Sequence, residues 1–556
     1  MCDLLAKGIA RDNRSAPAEM RLSKKLSRKL SRIPCSSAAS PALMVQVVEV
    51  VRARGFAGLG LLLAAVELAQ VAVDATPLLY FGDSATFVAS ASVFTVPLYR
   101  SWVYPLLIRV LAVWPNSLTG LVIGQALAGA ATCWLLAYML VKLLGVSRKV
   151  AWIGAFAFAF EPLQVVQERL VLPESFAGLV LALFCLAACS YVRRPVALPL
   201  VGVCIAGMFA VSFRSVCVPV TLAAAILLPA LVLWSVRVSD QRWIGAHVAS
   251  AIVATLALHV GYGALTGALA RKPAAYLYGD GFFIAGAWWP LLTPHDAGDD
   301  ASRRIVADLQ AHPPSLPLYI GEKVFHLWWP GGLRSRLMEA FGEDVVAANA
   351  AARTLALNAL RRDPRGVARI AWETFVDYET RSAARTRVSV LGRPGKLRVG
   401  RPSGVFDGAK CLWRRLFNRS GHDDAGQAVA PSRRALVLAF NVVPLVCAAA
   451  AMVRRATAPF LVALAATSAI LLVTTYALSV EPAVRYLHPV AFPLFVGCAV
   501  LIDAARTHRG PTGARVGIVS PFKKLFESLC QHTPWLAPSS RAVERVLSVG
   551  QCIRPR

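Results

Sequence analysis

ESFAGLVLALFCLAACSYVRRPVALPLVGVCIAGMFAVSFR, residues 174–214, decides the fold. Its charges are confined to Glu174, the pair Arg193-Arg194 and Arg214. Between them lie two apolar runs, 174–192 and 195–213. As helices, each is about long enough to cross a ~30 Å hydrocarbon layer. The Arg pair then marks a tight connector on one side of a membrane, and Arg214 a turn on the other. Working outward, similar runs read as spans at 55–73, 117–144, 148–162, 215–236, 243–268, 434–452, 457–478 and 488–505, making about ten transmembrane helices.

Composition agrees. Of 556 residues, 56% are apolar and 16% charged, with mean hydropathy +0.56. Soluble domains hold ~45–50% apolar and ~25% charged residues. An ordinary soluble enzyme, a disordered chain and a disulfide scaffold are excluded. The expected class is an all-α polytopic membrane protein.

The net charge is +28. The basic residues follow the connectors: the N-terminal tail, Ser147-Arg148-Lys149, Arg193-Arg194, Arg237 to Arg242, Arg454-Arg455 and Arg506 to Arg509. With ten spans all six lie on one side, which the positive-inside rule makes the cytoplasm. The excess charge therefore reads as topology and attraction to anionic lipid, not as nucleic-acid binding. Arg outnumbers Lys, 47 to 12, and with the abundant Ala and Val this points to a GC-rich bacterial genome.

The expected organisation has five parts: a basic cytoplasmic tail, 1–54; spans one to seven, 55–268; an extracytoplasmic domain, 269–432, inserted between spans seven and eight; spans eight to ten, 433–506; and a basic tail, 507–556. The inserted stretch is long enough for a small domain. It opens rich in aromatic residues (Tyr276, Tyr278, Phe282, Phe283, Trp288, Trp289, Trp328, Trp329) and turns helical over 335–380, with a break at Asp363-Pro364. Residues 383–430 are Arg/Gly/Ser-rich. In the tails, Arg21 to Arg32 reads as a basic amphipathic segment, Met44 as an alternative start, and Phe522 to Leu529 as an amphipathic patch. The first apolar run lies too far from the N-terminus for a secretory signal.

Seven cysteines lie in apolar runs, where Cys acts as a small hydrophobe. Cys2, Cys35, Cys530 and Cys552 lie in the tails and Cys411 alone in the long loop. No zinc spacing appears. His295-Asp296 and Asp299-Asp300 could meet a cation, but read better as an exposed acidic loop. A divalent metal is neither required nor excluded by this pattern.

Ionisable residues at or beside a membrane are costly and mark function by default. Asp83 stands in an uncharged run, Tyr80-Phe81-Gly82-Asp83-Ser84, as a helix cap or a catalytic carboxylate. The next outer loop carries Glu161, Glu168 and Glu174. One of them facing a shared cavity with Asp83 is the functional reading; Glu168-Arg169 neutralising each other, and Glu174 capping a helix, are the bland ones. Arg214 and Arg485 run against the positive-inside bias. Either they snorkel to headgroups or they clamp a phosphate through the planar guanidinium fork.

Taken in order, Gly82-Asp83-Ser84 with Phe87, Arg100, Tyr104-Pro105-Leu106-Leu107, Pro173-Glu174-Ser175, Arg214 and Arg485-Tyr486 resemble the C-type (GT-C) membrane glycosyltransferases. That group includes the protein O-mannosyltransferases and the lipid A aminoarabinose transferase. Phe87 stands where a Tyr is common, and Asp83 lacks the adjacent acid of the mannosyltransferases. The resemblance implies sugar transfer from a polyprenyl-phosphate-linked donor to an envelope lipid, glycan or protein at the outer face of the bacterial inner membrane. Asp83, Glu161 and Glu174 would be the catalytic carboxylates; Arg100, Arg214, Arg485 and Tyr486 would hold the donor phosphate. The chemistry is self-consistent, since a phosphate leaves without a general acid and one carboxylate suffices as base. No cofactor beyond the lipid-linked donor is expected. The rival reading is a transporter or flippase of a lipid-linked substrate, which predicts internal repeats and charges within the spans.

Overall fold

The computed structural model describes residues 41–73, 75–80, 83–112, 117–235, 241–316, 321–380, 437–480 and 484–507. Both basic tails, the stretch 383–430, Gly82, Glu481 and Pro482, and Cys2, Cys35, Cys411, Cys530 and Cys552 lie outside them. Residues up to Leu59 and those from Gly60 on separate into two compact units. Of the first, the described part is the start of helix α1, Pro41–Val73.

Among the described residues the chain is helical, with no strand; Leu78 and Leu170 form an isolated bridge. Seven helical segments among the described residues are long and apolar enough to cross a membrane: Gly55–Val73, Thr119–Leu143, Glu174–Arg193, Ser215–Val232, Gly245–Ala270, Arg455–Leu478 and His488–Thr507. Two apolar helices, Ala197–Phe213 and Val443–Val453, are shorter. In hydrocarbon each backbone amide needs a partner within its own segment, so apolar runs of this length become helices.

The helices from α2 on are α2 (Asp83–Val93), α3 (Val103–Leu111), α4 (Thr119–Tyr138), α5 (Arg148–Ala159), α6 (Pro162–Gln167), α7 (Glu174–Arg193), α8 (Ala197–Phe213), α9 (Val218–Ser235) and α10 (Gln241–Ala270). Then follow α11 (Asp280–Ala287), α12 (Asp300–Ala311), α13 (Glu322–Trp328), α14 (Leu333–Ala340), α15 (Val345–Arg362), α16 (Pro364–Thr380), α17 (Val443–Val453), α18 (Ala458–Leu478) and α19 (Ala491–Thr507). The run 148–162, expected as one span, is divided. Helix α5 stops at Ala159, and Glu161 caps α6 by accepting from the Gln164 amide at 2.6 Å, with Pro162 at the first helical position. That is favourable start chemistry for a second helix.

Helix α7 packs on both α4 and α8; α17 packs on α18 and α19; α9 joins α10 to α18. Small residues permit close approach. A Cβ at Gly207 would stand 3.0 Å from Thr221 Cγ2. Large apolar side chains also point outward: Leu61 is 74% exposed, Leu198 81%, Val260 70% and Met452 73%. An apolar exterior of this kind is expected where lipid, not water, surrounds the helices. The seven cysteines of the apolar runs are free thiols, all buried except the half-buried Cys498.

One end of the bundle is closed by a buried clamp. Asp503, near the end of α19, accepts from the Ser147 backbone amide at 3.0 Å and pairs with Arg454, after α17. Arg193, at the end of α7, donates to the Lys142 carbonyl at 2.6 Å. The connectors that carry Ser147-Arg148-Lys149, Arg193-Arg194 and Arg454-Arg455 thus share this end. The other end carries Asp83, Glu174, Arg214 and Arg485.

Helices α11 to α16 form a helical domain with its own apolar core around Phe282, Trp288, Leu337, Ala352 and Leu355. Asp344 caps α15, and Asp363 lies at the α15–α16 junction, where its Oδ1 accepts from the Gly366 amide. Asp296 builds a capping box with Thr293 and pairs with Arg362 at 2.9 Å; Asp299 caps α12, and Asp300 pairs with Arg303 at 2.7 Å. These acids are occupied by the fold. Among the described residues no group of three or more His, Cys, Asp or Glu converges as metal ligands would.

Candidate active site

The site is assembled at the end of the bundle away from Asp503. The segment before α2 is fixed to the segment after α6 by two backbone bonds, Leu78 amide to Arg169 carbonyl at 2.8 Å and Val171 amide to Leu78 carbonyl at 2.9 Å. Ser84 completes the attachment: its hydroxyl accepts from the Tyr80 amide at 2.8 Å and donates to the Val171 carbonyl at 3.0 Å. Ser84 thus spends its hydroxyl on this attachment, while the Asp83 carboxylate has other partners.

Those partners are arginines. Asp83 Oδ1 is bonded to Arg100, and Oδ2 accepts from Arg485 Nη2 at 3.0 Å. Arg485 is 8% exposed. It donates to the Tyr486 hydroxyl at 2.9 Å, lies 3.7 Å over the Tyr80 ring and approaches Glu174 at 3.9 Å. Glu174 Oε1 is held by Arg214 Nη2 at 2.5 Å, and the Arg214 guanidinium lies over the Tyr486 ring at 5.4 Å. Arg100 in turn faces Phe283 and Trp328 at 5.0 and 5.3 Å, so the helical domain walls the site on that side.

The charges shift the titrations in a definite direction. Burial alone would push the Asp83 carboxyl up, but Arg100 and Arg485 more than offset it and hold Asp83 below the usual carboxylate range. Burial would favour a neutral Arg485, yet Tyr486, Asp83, Tyr80 and Glu174 keep its guanidinium charged.

Six of the seven expected residues, Asp83, Arg100, Glu174, Arg214, Arg485 and Tyr486, thus belong to one cluster. Glu161 stands apart from it. Its carboxylate caps α6 and faces His488 at 3.5 Å. His488, Gln167, Glu174 and Arg214 line a small cavity of ≈ 20 Å³ with Phe158 and Phe492. That is room for about one water. Arg214 Nε, Glu174 Oε2, His488 Nε2 and both amide atoms of Gln167 have no hydrogen-bond partner among the described atoms. Buried polar atoms left open cost ~1–3 kcal/mol each, and an accumulation of them around one cavity marks a place built to receive polar groups.

The sequence places His488 beside Arg485 as an added hydrogen-bonding group, but it does not mark Tyr80 or the two domain aromatics as site members. Tyr80 lies three residues before Asp83, within reach of a proximity argument. Phe283 and Trp328 were visible only as part of an aromatic-rich loop. Searches against protein-family models, curated proteins and solved structures find no match to this chain.

Proposed function

We propose that the protein transfers a sugar from a polyprenyl-phosphate-linked donor to an envelope lipid, glycan or protein acceptor. In this reading it spans the bacterial inner membrane about ten times, has both termini in the cytoplasm and carries its helical domain outside. The observation that supports it is the cluster itself. Asp83 and three arginines come from three distant stretches of chain (83–100, 214 and 485) and meet, buried or half-buried, at one end of an apolar bundle.

The acceptor hydroxyl attacks the anomeric carbon, and its proton goes to Asp83. The bond from that carbon to the phosphate oxygen breaks, and the electron pair stays on the phosphate. Arg485 and Arg214, with Tyr486, hold that phosphate and stabilise the charge it gains. Asp83 paired to two arginines is ionised but weakly basic. A donor phosphate competing for Arg485 and Arg100 loosens those pairs and raises the basicity of Asp83 when substrate is present. Glu174 keeps Arg214 oriented, and Glu161 with His488 borders the adjoining cavity.

The transporter reading keeps one observation in its favour: Glu67, an acidic residue inside the first span. Mass spectrometry of envelope lipids, glycans and proteins, with and without the protein, separates the two. Transfer predicts one sugar increment missing from an acceptor without the protein, and present again with it. A lipid-linked donor redistributed between leaflets, with every acceptor class unchanged, overturns the assignment in favour of transport.

A further inference from the structure

Outside the arginine cluster lies a second group of buried acids. Glu67 is 0% exposed in α1, and Glu168, 4% exposed, follows α6. Their carboxyl groups are within hydrogen-bonding range of one another. No protein donor reaches either Glu67 oxygen among the described atoms. Glu168 Oε1 accepts from Gln164 Nε2 at 2.6 Å. Gly129 of α4 leaves space for this carboxylate, since a Cβ there would collide with it. Gln70, one turn beyond Glu67, is buried with both amide atoms unpartnered.

Two carboxylates are both acceptors, so they can bond only if one carries a hydrogen. In a low-dielectric interior, two unshared negative charges at this range are prohibitive. We propose that Glu67 and Glu168 form a binding site for one proton, shared between their carboxyl groups, and that this proton ties the first span to the segment that carries the Asp83 loop.

The groups facing the pair are few. Arg169 is the neighbouring cation, and its guanidinium donates to the Gln70 carbonyl at 3.3 Å. Cys133 of α4 faces both acids. Glu161, on the other side of Gln164, accepts from the Gln164 amide and stands 3.5 Å from His488 Nε2 without a hydrogen bond. Burial, then the charge of Glu67, push the Glu168 carboxyl well above its ordinary value.

The link to the site is the backbone that follows Glu168. Gln125 Nε2 donates to the Glu168 and Leu170 carbonyls, both at 2.9 Å, and Gln125 Oε1 accepts from the Tyr104 hydroxyl at 2.6 Å. Arg169 and Val171 hold Leu78, and Val171 holds Ser84. Loss of the proton sets like charges against each other where this backbone begins. Glu67 and Glu168 are thus positioning residues, and the proton is their ligand whether or not the chain transfers a sugar.

The test uses the full chain purified in detergent, with infrared spectroscopy and thermal unfolding across about pH 5 to 9. A folded carboxyl raised above its unfolded value stabilises at low pH, and that stability is lost as pH rises from the unfolded value through the folded one. The wild type should show a protonated-carboxyl band persisting at neutral pH and a thermal midpoint that falls toward alkaline pH. The double variant Glu67→Gln with Glu168→Gln should lose that band and flatten the alkaline fall. Glu168→Gln alone, whose amide donates to Glu67, should fold like the protonated wild type. A wild-type spectrum with no such band at neutral pH overturns the proposal, even if the variants fail to fold. So does an unchanged alkaline slope in the double variant. A midpoint raised by sodium or calcium ions at fixed pH in the wild type alone would mean that a metal cation fills the site.

Discussion

Asp83 and Asp503 sit at opposite ends of the same bundle, both against arginine, and their surroundings differ. Asp503 bonds the Ser147 amide and Arg454, drawing two connectors to the end of α19, and its two oxygens are both used. Asp83 also has both oxygens used, but its partners lead into a region with open valences: Arg485 Nε, Arg214 Nε, Glu174 Oε2 and His488 Nε2 have no hydrogen-bond partner among the described atoms. A saturated ion pair fastens helices. An ion pair whose neighbours remain unsatisfied is poised to exchange its partner for a ligand. Burial and charge alone do not separate the two; the satisfaction of the surrounding atoms does.

The contrast breaks most visibly at the carboxylates. In the proposed reaction Asp83→Asn keeps the size and removes the base, so sugar transfer should drop by about 10²-fold or more, with unchanged protein in the membrane. Asp503→Asn should leave transfer per folded molecule intact. Equal losses of specific activity in both would erase the distinction. On stability the order reverses. Asp503→Ala strands Arg454 and should cost about 3 kcal/mol, measured as a lowered thermal midpoint with no change in donor dependence.

Much of this was readable in the chain, and the reason is local. Apolar runs bounded by arginines place helices without any tertiary knowledge, and Asp83, Arg214 and Arg485 stand out because each charge adjoins an apolar run. What stayed hidden needed pairing across the fold. Glu67 lies inside an apolar run and gains meaning only beside Glu168. Glu161 looked equivalent to Glu174, yet the Pro162 that follows it makes it a helix cap turned toward His488. Phe283 and Trp328 reach Arg100 only once the domain is folded.

Arg485 sharpens the comparison at the level of the fork. Arg485→Ala should lose most activity and raise the donor concentration needed for half-maximal rate by roughly tenfold or more. Arg485→Lys should retain part of the activity, because the charge remains while the fork is lost. Combining Arg485→Ala with Arg214→Ala should be less than additive. Rates at varied donor and acceptor concentrations decide it: a shift confined to the acceptor would move Arg485 to the acceptor side.

The smallest effect is in acid. Asp83 titrates below its unfolded value of 3.8, so its stabilising contribution is complete above that pH and is lost as pH falls through the folded value. Thermal midpoints below about pH 4 should therefore decline more steeply in the wild type than in Asp83→Asn. Parallel curves would mean that the arginines do not favour the ionised form.

The bond between Arg485 and Asp83 joins residues 402 positions apart. At ~5–20 residues per second, that interval takes roughly 20–80 s to synthesise. Throughout it the nascent chain carries Asp83 and Arg100 without the third charge, and a ribosome stalled before the last apolar run leaves the cluster incomplete. On the proposed function, competence is therefore expected late in biogenesis, with insertion of the closing helix. Co-expressing two fragments divided in the 381–436 interval should restore activity only when the second reaches the membrane.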